Sequence, residues 1–175
     1  MPGRAAGLHT HRAADRHIRQ ATKKDYDQIL TSIDAFWDER IGDARVALFH
    51  HALFVHELGD TAFVFEDLDG TITAYLFGFF STTAPVAYVH VIAVRATHRR
   101  LGLATALYRH LAGVAMGRGA HSIKAITTPG NEASIAFHAS LGMSATEVAN
   151  YAGPGQHRVV LLAGLEELQK CPTAS

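Results

Sequence analysis

Three runs rich in β-branched and aromatic residues lie close together, at 61–66 (TAFVFE), 72–81 (ITAYLFGFFS) and 87–94 (AYVHVIAV), and a helical stripe follows directly. This succession of strand signals constrains the fold more than any other feature. Asp67-Leu68-Asp69-Gly70 joins the first two runs, and its Asp-Gly favours a hairpin turn. Beyond the third run, Leu103, Leu107, Leu111 and Val114 recur at the i, i+4, i+8 and i+11 positions of a buried helix face, ending near residues 117–119. Residues 122–127 (SIKAIT) read as the next strand. Residues 131–141 read as a helix with Asn131 as N-cap and Gly142 as its stop.

Upstream, residues 18–22 predict a short strand. A helix follows from Thr22 to about Phe36, where Thr22 and Asp25 form a near capping box, and then a second helical stretch over 43–55. Residues 142–149 and 157–162 close the pattern as two strands around the loop YAGPGQ. The order predicts an α/β fold with a mixed sheet of six or seven strands.

A chain of 175 residues with 48% hydrophobic content can bury one good core, so a single domain is expected over 17–168, with a disordered leader over 1–16 and a tail over 169–175. No run approaches the ~18 consecutive apolar residues of a membrane span, and the leader lacks the apolar region of a secretory signal. The lone Cys171 can form no internal disulfide, which suits a reducing cytoplasm. The paired His50-His51 and His9/His11 have no zinc-like spacing, so no metal is expected.

Formal net charge is zero, yet no Asp or Glu falls between Gly70 and Glu132, where Arg95, Arg99, Arg100, Arg109, Arg118 and Lys124 all lie. A basic block in a neutral protein points to a local anion site; a mostly buried segment that excludes acids is the plainer alternative. Nucleic-acid binding ranks last, because the aromatics sit inside strand patterns and the overall charge is not basic.

The tightest cationic cluster opens the helix, in THRRLGLATALYRHL. The first turn of a helix leaves backbone N–H groups unpaired at the positive end of its dipole. Gly102 and the small Ala104 let an anion approach those groups, and Arg99 and Arg100 add a cationic rim. Neither the Lys-Ser/Thr of a Walker loop nor the third glycine of a dinucleotide fingerprint is present.

Arg99 to Ala104 resembles the Arg/Gln-x-x-Gly-x-Gly/Ala signature of the GNAT superfamily of acyl-coenzyme A N-acyltransferases, in its usual place after a strand. NEASIAFHASLGM, beginning at Asn131, is similar to the superfamily's Asn-x-x-Ala/Ser-x-x-Phe-Tyr/His-x-x-x-Gly-Phe helix. With Trp37, AYVHVIAV, TTPGNEASIAFH and the terminal Gly-Pro-Gly segment, the chain from Ile18 to Leu165 resembles a bacterial subgroup of small GNAT enzymes.

The resemblance implies a largely antiparallel sheet with one splayed parallel pair and about four flanking helices. It implies acetyl-coenzyme A as acyl donor, with its pyrophosphate on the backbone of Arg99, Arg100, Leu101, Gly102, Leu103 and Ala104 and on the Thr105 hydroxyl. The pantetheine arm would pair with Ile92, Ala93 and Val94, and Asn131, Ser134 and Phe137 would line the same cleft. Asn131 is equally a plain N-cap. Dimers are frequent in the superfamily, and the apolar VVLLAGL segment is a candidate for pairing in a homodimer.

Acetyl transfer needs a neutral amine, a proton acceptor, a donor to the tetrahedral oxyanion and, for the thiolate, an acid. The glutamate that many relatives carry on the strand is missing, while Tyr88 and His90 stand at i and i+2 on one face. His90 is the favoured base or relay to a water, against the reading of a half-buried strand histidine bonded to a neighbour; Tyr88 would hold the substrate or pass a proton. His138 takes the place of a tyrosine that donates to the thiolate in many relatives, or is a packing choice. Trp37 and Tyr151 are candidates for the acceptor pocket, with core packing an equal reading of Trp37. The expected function is N-acetylation of a primary amine, most simply of a small molecule, by direct attack in a ternary complex. The alternatives are a catalytically silent coenzyme A-binding regulatory module and a protein or peptide N-acetyltransferase.

Overall fold

The computed structural model describes residues 17–37 and 49–170. Its strands are β1 (His17–Gln20), β2 (Ala62–Glu66), β3 (Ile72–Phe80), β4 (Val86–Val94), β5 (Ser122–Thr127), β6 (Ser144–Val148) and β7 (Arg158–Gly164). Its helices are α1 (Lys23–Thr31), α2 (Leu53–His56), α3 (Leu103–Gly117), α4 (Glu132–Ser140) and α5 (Leu165–Lys170). One seven-stranded sheet runs in the order β1-β2-β3-β4-β5-β7-β6. Every neighbouring pair is antiparallel except β4 with β5. The leader, residues 38–48 with the 43–48 part of the second helical stretch, and the tail from Cys171 lie outside the described residues. No helix among the described residues is long and apolar enough to cross a membrane.

The sheet separates two cores. On one face the stripe of α3, Leu103, Leu107, Tyr108 and Leu111, packs with α5 against Leu76, Val89, Ile123 and Leu161. On the other, Tyr26 and Ile29 of α1 and Phe54 of α2 pack against Tyr75, Phe77 and Val91. Burying such side chains contributes roughly 1.5–3 kcal/mol each.

The first helix starts as its sequence predicts, with a complete capping box between Thr22 and Asp25, but it ends at Thr31 rather than near Phe36. Residues Ile33–Ala35 turn as a short 3-10 segment instead. Asp25 is buried and also accepts from Arg19 at 2.6 and 2.8 Å, and the same guanidinium reaches Glu66 on β2. Burial pushes the Asp25 carboxyl up, but the hydrogen bonds from Arg19 and Thr22 outweigh it and hold the group at about 2. A carboxylate depressed in the fold stabilises it above the unfolded value and loses that contribution as pH falls towards 2. Urea melts of the wild type should therefore lose about 1–2 kcal/mol more between pH 5 and pH 2 than melts of Asp25→Asn, after discounting for solvent screening. Parallel acid limbs would overturn this.

The VVLLAGL segment has no free edge to offer a second copy. β7 lies between β5 and β6, with both edges paired, and the segment's last residue already opens α5. The free edge on that side is β6.

The feature that shapes the site is a bulge in β4. Phe77 pairs with Val91 but Gly78 pairs with Val89, which leaves His90 as an extra residue. The extra residue reverses the alternation: Ala87 and Val89 face the α3 core before it, whereas Ile92 and Val94 face that core after it. Val91 and Ala93 turn to the other side. At Gly78 an added Cβ would lie 2.6 Å from the Tyr88 carbonyl oxygen, so glycine is what lets β3 pass the bulge.

The parallel ladder stops there. β4 and β5 pair from Val86 with Ser122 to Val89 with Ala125, and then part. β4 stays with β3 as far as Val94, and β5 stays with β7 as far as Thr127. A wedge therefore opens inside the sheet, beginning at His90.

Candidate active site

Along the β4 side of the wedge, backbone groups alternate in direction. The Arg95 N–H donates to the Thr73 carbonyl of β3, so Ala93 also turns its peptide groups to β3. Ile92 and Val94 point theirs into the gap. Of the three residues expected to offer backbone partners there, Ala93 is already engaged with β3.

Above the wedge stands the N-terminus of α3. Gly102 occupies the cap position with φ 75, and no side chain caps the helix. An added Cβ at Gly102 would meet nothing within 4 Å. Arg100 is left-handed too, with φ 63, an arrangement that costs a residue with a side chain about 1 kcal/mol. The two arginines divide their roles. Arg99 turns back, donating from Nη2 to the Phe36 carbonyl at 2.9 Å and from Nε to the Val94 carbonyl at 3.4 Å. It ties the turn after α1 to the end of β4.

Across the wedge, α4 begins at Asn131, whose Oδ1 accepts from the Ser134 N–H at 3.3 Å and whose Nδ2 donates to Thr127 Oγ1 at 2.9 Å. Asn131 is thus the N-cap and also fastens α4 to the end of β5. Ser134 and Phe137 are half-buried on the same helix.

His138 is turned inward and buried. Its Nδ1 lies 2.7 Å from the Ser134 carbonyl, which can only accept, so Nδ1 carries the hydrogen. Its Nε2 then takes the hydrogen bond of the Tyr108 hydroxyl at 2.5 Å. Burial lowers the imidazole pKa, partly opposed by the Ser134 carbonyl, and raises that of Tyr108. A neutral ring with both nitrogens engaged has no proton aimed into the wedge, which corrects the expectation that His138 protonates a thiolate. Tyr108 sits in the quoted LGLATALY stretch, but nothing in its spacing announces this pairing.

On the opposite face of the sheet, below the start of the wedge, lies a cleft of about 490 Å³ lined by Phe79, Ser81, Thr83, Ala84, Val86, Tyr88, His90, Lys124 and Tyr151. It brings Tyr151 together with Tyr88 and His90, which lie some sixty residues earlier in the sequence. The His90 ring is half-buried and stacks on Phe54 with centroids 4.6 Å apart. Tyr88 stacks on Phe79 at 4.8 Å, and burial, with a smaller contribution from Tyr151, pushes its phenol up to about 12. At neutral pH it is therefore a hydrogen-bond donor and no base.

Trp37 does not line this cleft. Its indole N–H donates to the buried Tyr75 hydroxyl at 2.7 Å, and His50 Nε2 meets the same hydroxyl at 2.5 Å. Trp37 stacks on Phe49, whose ring edge contacts His90, so its link to the cleft runs through that ring. Sequence reasoning gave no place in this site to Tyr75, which lies in an apolar run, to His50, weighed only as a metal ligand, or to Lys124, counted only in the basic block.

The acetyltransferase (GNAT) family model matches residues 26–143. No sequence among curated proteins matches significantly. Among solved structures, the chain is similar to the ribosomal-protein-S18-alanine N-acetyltransferase of Escherichia coli, with TM-score 0.62 and 19% identity, over 86% of this chain and 94% of that one. It is similar to the diaminobutyrate acetyltransferase of Paenibacillus lautus in complex with L-2,4-diaminobutyric acid and coenzyme A, with TM-score 0.60 and 19% identity, over 83% and 93%. The phosphinothricin acetyltransferase of Sinorhizobium meliloti in complex with acetyl-coenzyme A gives TM-score 0.62 at 16% identity, over 86% and 88%. These likenesses speak to the fold. The family match runs from α1 through the bulge, the glycine turn and α4, and on that span the chain belongs to the GNAT acetyltransferase family.

Proposed function

We propose that the protein is an N-acetyltransferase that moves the acetyl group of acetyl-coenzyme A to the primary amine of a small molecule within a ternary complex. The observation that carries the reading is the coincidence of three features: a parallel ladder that stops at Val89, an uncapped 15-residue helix directly above, and a titratable side chain at the break. The uncapped turn at Gly102 to Thr105 fits a pyrophosphate, with the exposed Arg100 beside it. Ile92 and Val94 fit an extended amide-bearing arm, which would complete the sheet.

Acetyl-coenzyme A supplies an activated thioester to a neutral amine. The protein's part is to hold that amine in the cleft, with His90 taking its proton directly or through a water. The Tyr88 hydroxyl donates a hydrogen bond to the acceptor. Asn131 and Ser134 line the far wall. His138, locked by Tyr108, positions α4 against α3.

Isothermal titration with acetyl-coenzyme A should give micromolar binding, and a screen for amine-dependent thiol release should find turnover. His90→Ala should lower kcat by about a hundredfold, the lower end for loss of a general base, while acetyl-coenzyme A affinity stays within twofold. Failure of the intact protein to bind acetyl-coenzyme A would sink the reading. Binding without turnover of any amine would leave a silent coenzyme A-binding module.

A further inference from the structure

We infer that the acceptor is a small primary amine that also carries a carboxylate, held at the floor of the cleft by Lys124; this rests on the acyl-transfer reading of the same site. Lys124 stands in register with Tyr88 across the parallel ladder, so its side chain enters the cleft beside the Tyr88 ring. It is half-buried, with Nζ 5.0 Å from the centroid of Tyr151. Among the described residues no carboxylate lies within ion-pair range of it, and none lines the cleft.

With its half-buried ammonium against the Tyr151 ring and no carboxylate in range among the described residues, Lys124 favours a ligand that brings an anion and disfavours one that brings a second cation. His90 lies two residues further along β4, about 7 Å by the rise of a strand. An amine at His90 and a carboxylate at Lys124 therefore belong to one short molecule. The phenol of Tyr88, between the two, donates to the same carboxylate.

The test compares β-alanine, 4-aminobutyrate and L-alanine, each with its carboxamide, and putrescine, titrated calorimetrically into the protein alone and into the protein saturated with coenzyme A. At least one acid should bind at least about tenfold more tightly than its amide, as for a charge-assisted hydrogen bond, with putrescine weakest. The ratio should fall to about one in Lys124→Met and survive in Lys124→Arg, with melting curves confirming that both are folded. If Lys124→Met fails to fold, Lys124→Gln takes its place. Amides equal to acids, putrescine preferred, no binding by any acid, or a ratio unchanged in the neutral variant would each overturn the inference. A protein that fails to bind coenzyme A loses the acyl-transfer reading, while the acid-to-amide ratio in the protein alone still scores Lys124 by itself.

Discussion

Replacing Gly102 by glutamate will lower the affinity for acetyl-coenzyme A by about three orders of magnitude. The position is open, with nothing within 4 Å of an added Cβ, so the side chain enters the space over the first turn of α3 without displacing protein atoms. A carboxylate about 4 Å from a bound phosphate charge repels it by about 4 kcal/mol at the effective dielectric of a protein surface, which is a factor of about a thousand. The left-handed backbone adds about 1–2 kcal/mol of strain to the fold. Gly102→Ala separates the two contributions, since it carries the strain without the charge; its affinity should fall by about tenfold at most. Isothermal titration of both variants reads the difference. Arg99→Ala is a poorer probe, because Arg99 is bonded to the Phe36 and Val94 carbonyls and its loss loosens the scaffold. Equal affinities for wild type and Gly102→Glu would remove the pyrophosphate from this helix.

Gly78→Ala tests the bulge itself. One methyl group there meets the Tyr88 carbonyl oxygen at 2.6 Å and the Leu111 side chain at 3.6 Å. The oxygen belongs to the backbone of β4 and can yield only if the bulge moves. Overpacking of this kind costs about 2–3 kcal/mol, so Tm should fall by roughly 5–10 °C for a domain of this size. Gly59→Ala is the matched control: its backbone is ordinary, nothing lies within 4 Å, and Tm should stay within about 1–2 °C. A Gly78→Ala protein that melts with the wild type would mean that β3 and β4 can pass each other without the glycine.

The strands, the Asp-Gly hairpin, the α3 stripe and the Thr22 and Asn131 caps were all legible because each rests on local chemistry. The bulge was not. AYVHVIAV reads as one continuous strand with four apolar residues after His90, and an extra residue in a strand changes which face each side chain meets while leaving the composition untouched. The only sign was in the neighbouring strand, where Gly78 interrupts ITAYLFGFF. α5 was missed for a different reason: its apolar Leu165 and Leu168 continue the run of β7, and six residues are too few to display a helical period. At the site, the glycine turn and Tyr88 with His90 could be read from type and spacing. The inward turn of His138 and the retreat of Arg99 could not, since each depends on a partner thirty or more residues away.

The wedge has a mechanical meaning as well. β1 to β4 form one stiff plate and β5 to β7 another, and within the sheet only the four-residue ladder from Val86 to Val89 joins them. Bending a sheet across a short seam strains few hydrogen bonds, so the angle between the plates is the softest coordinate of the β framework. α3 spans the seam on one face, with its stripe packed on both plates, and sets the resting angle. On the proposed reading, an extended ligand bonded to Ile92 and Val94 and wedged against β5 would lengthen the seam and stiffen that coordinate, coupling occupancy of the wedge to the shape of the cleft.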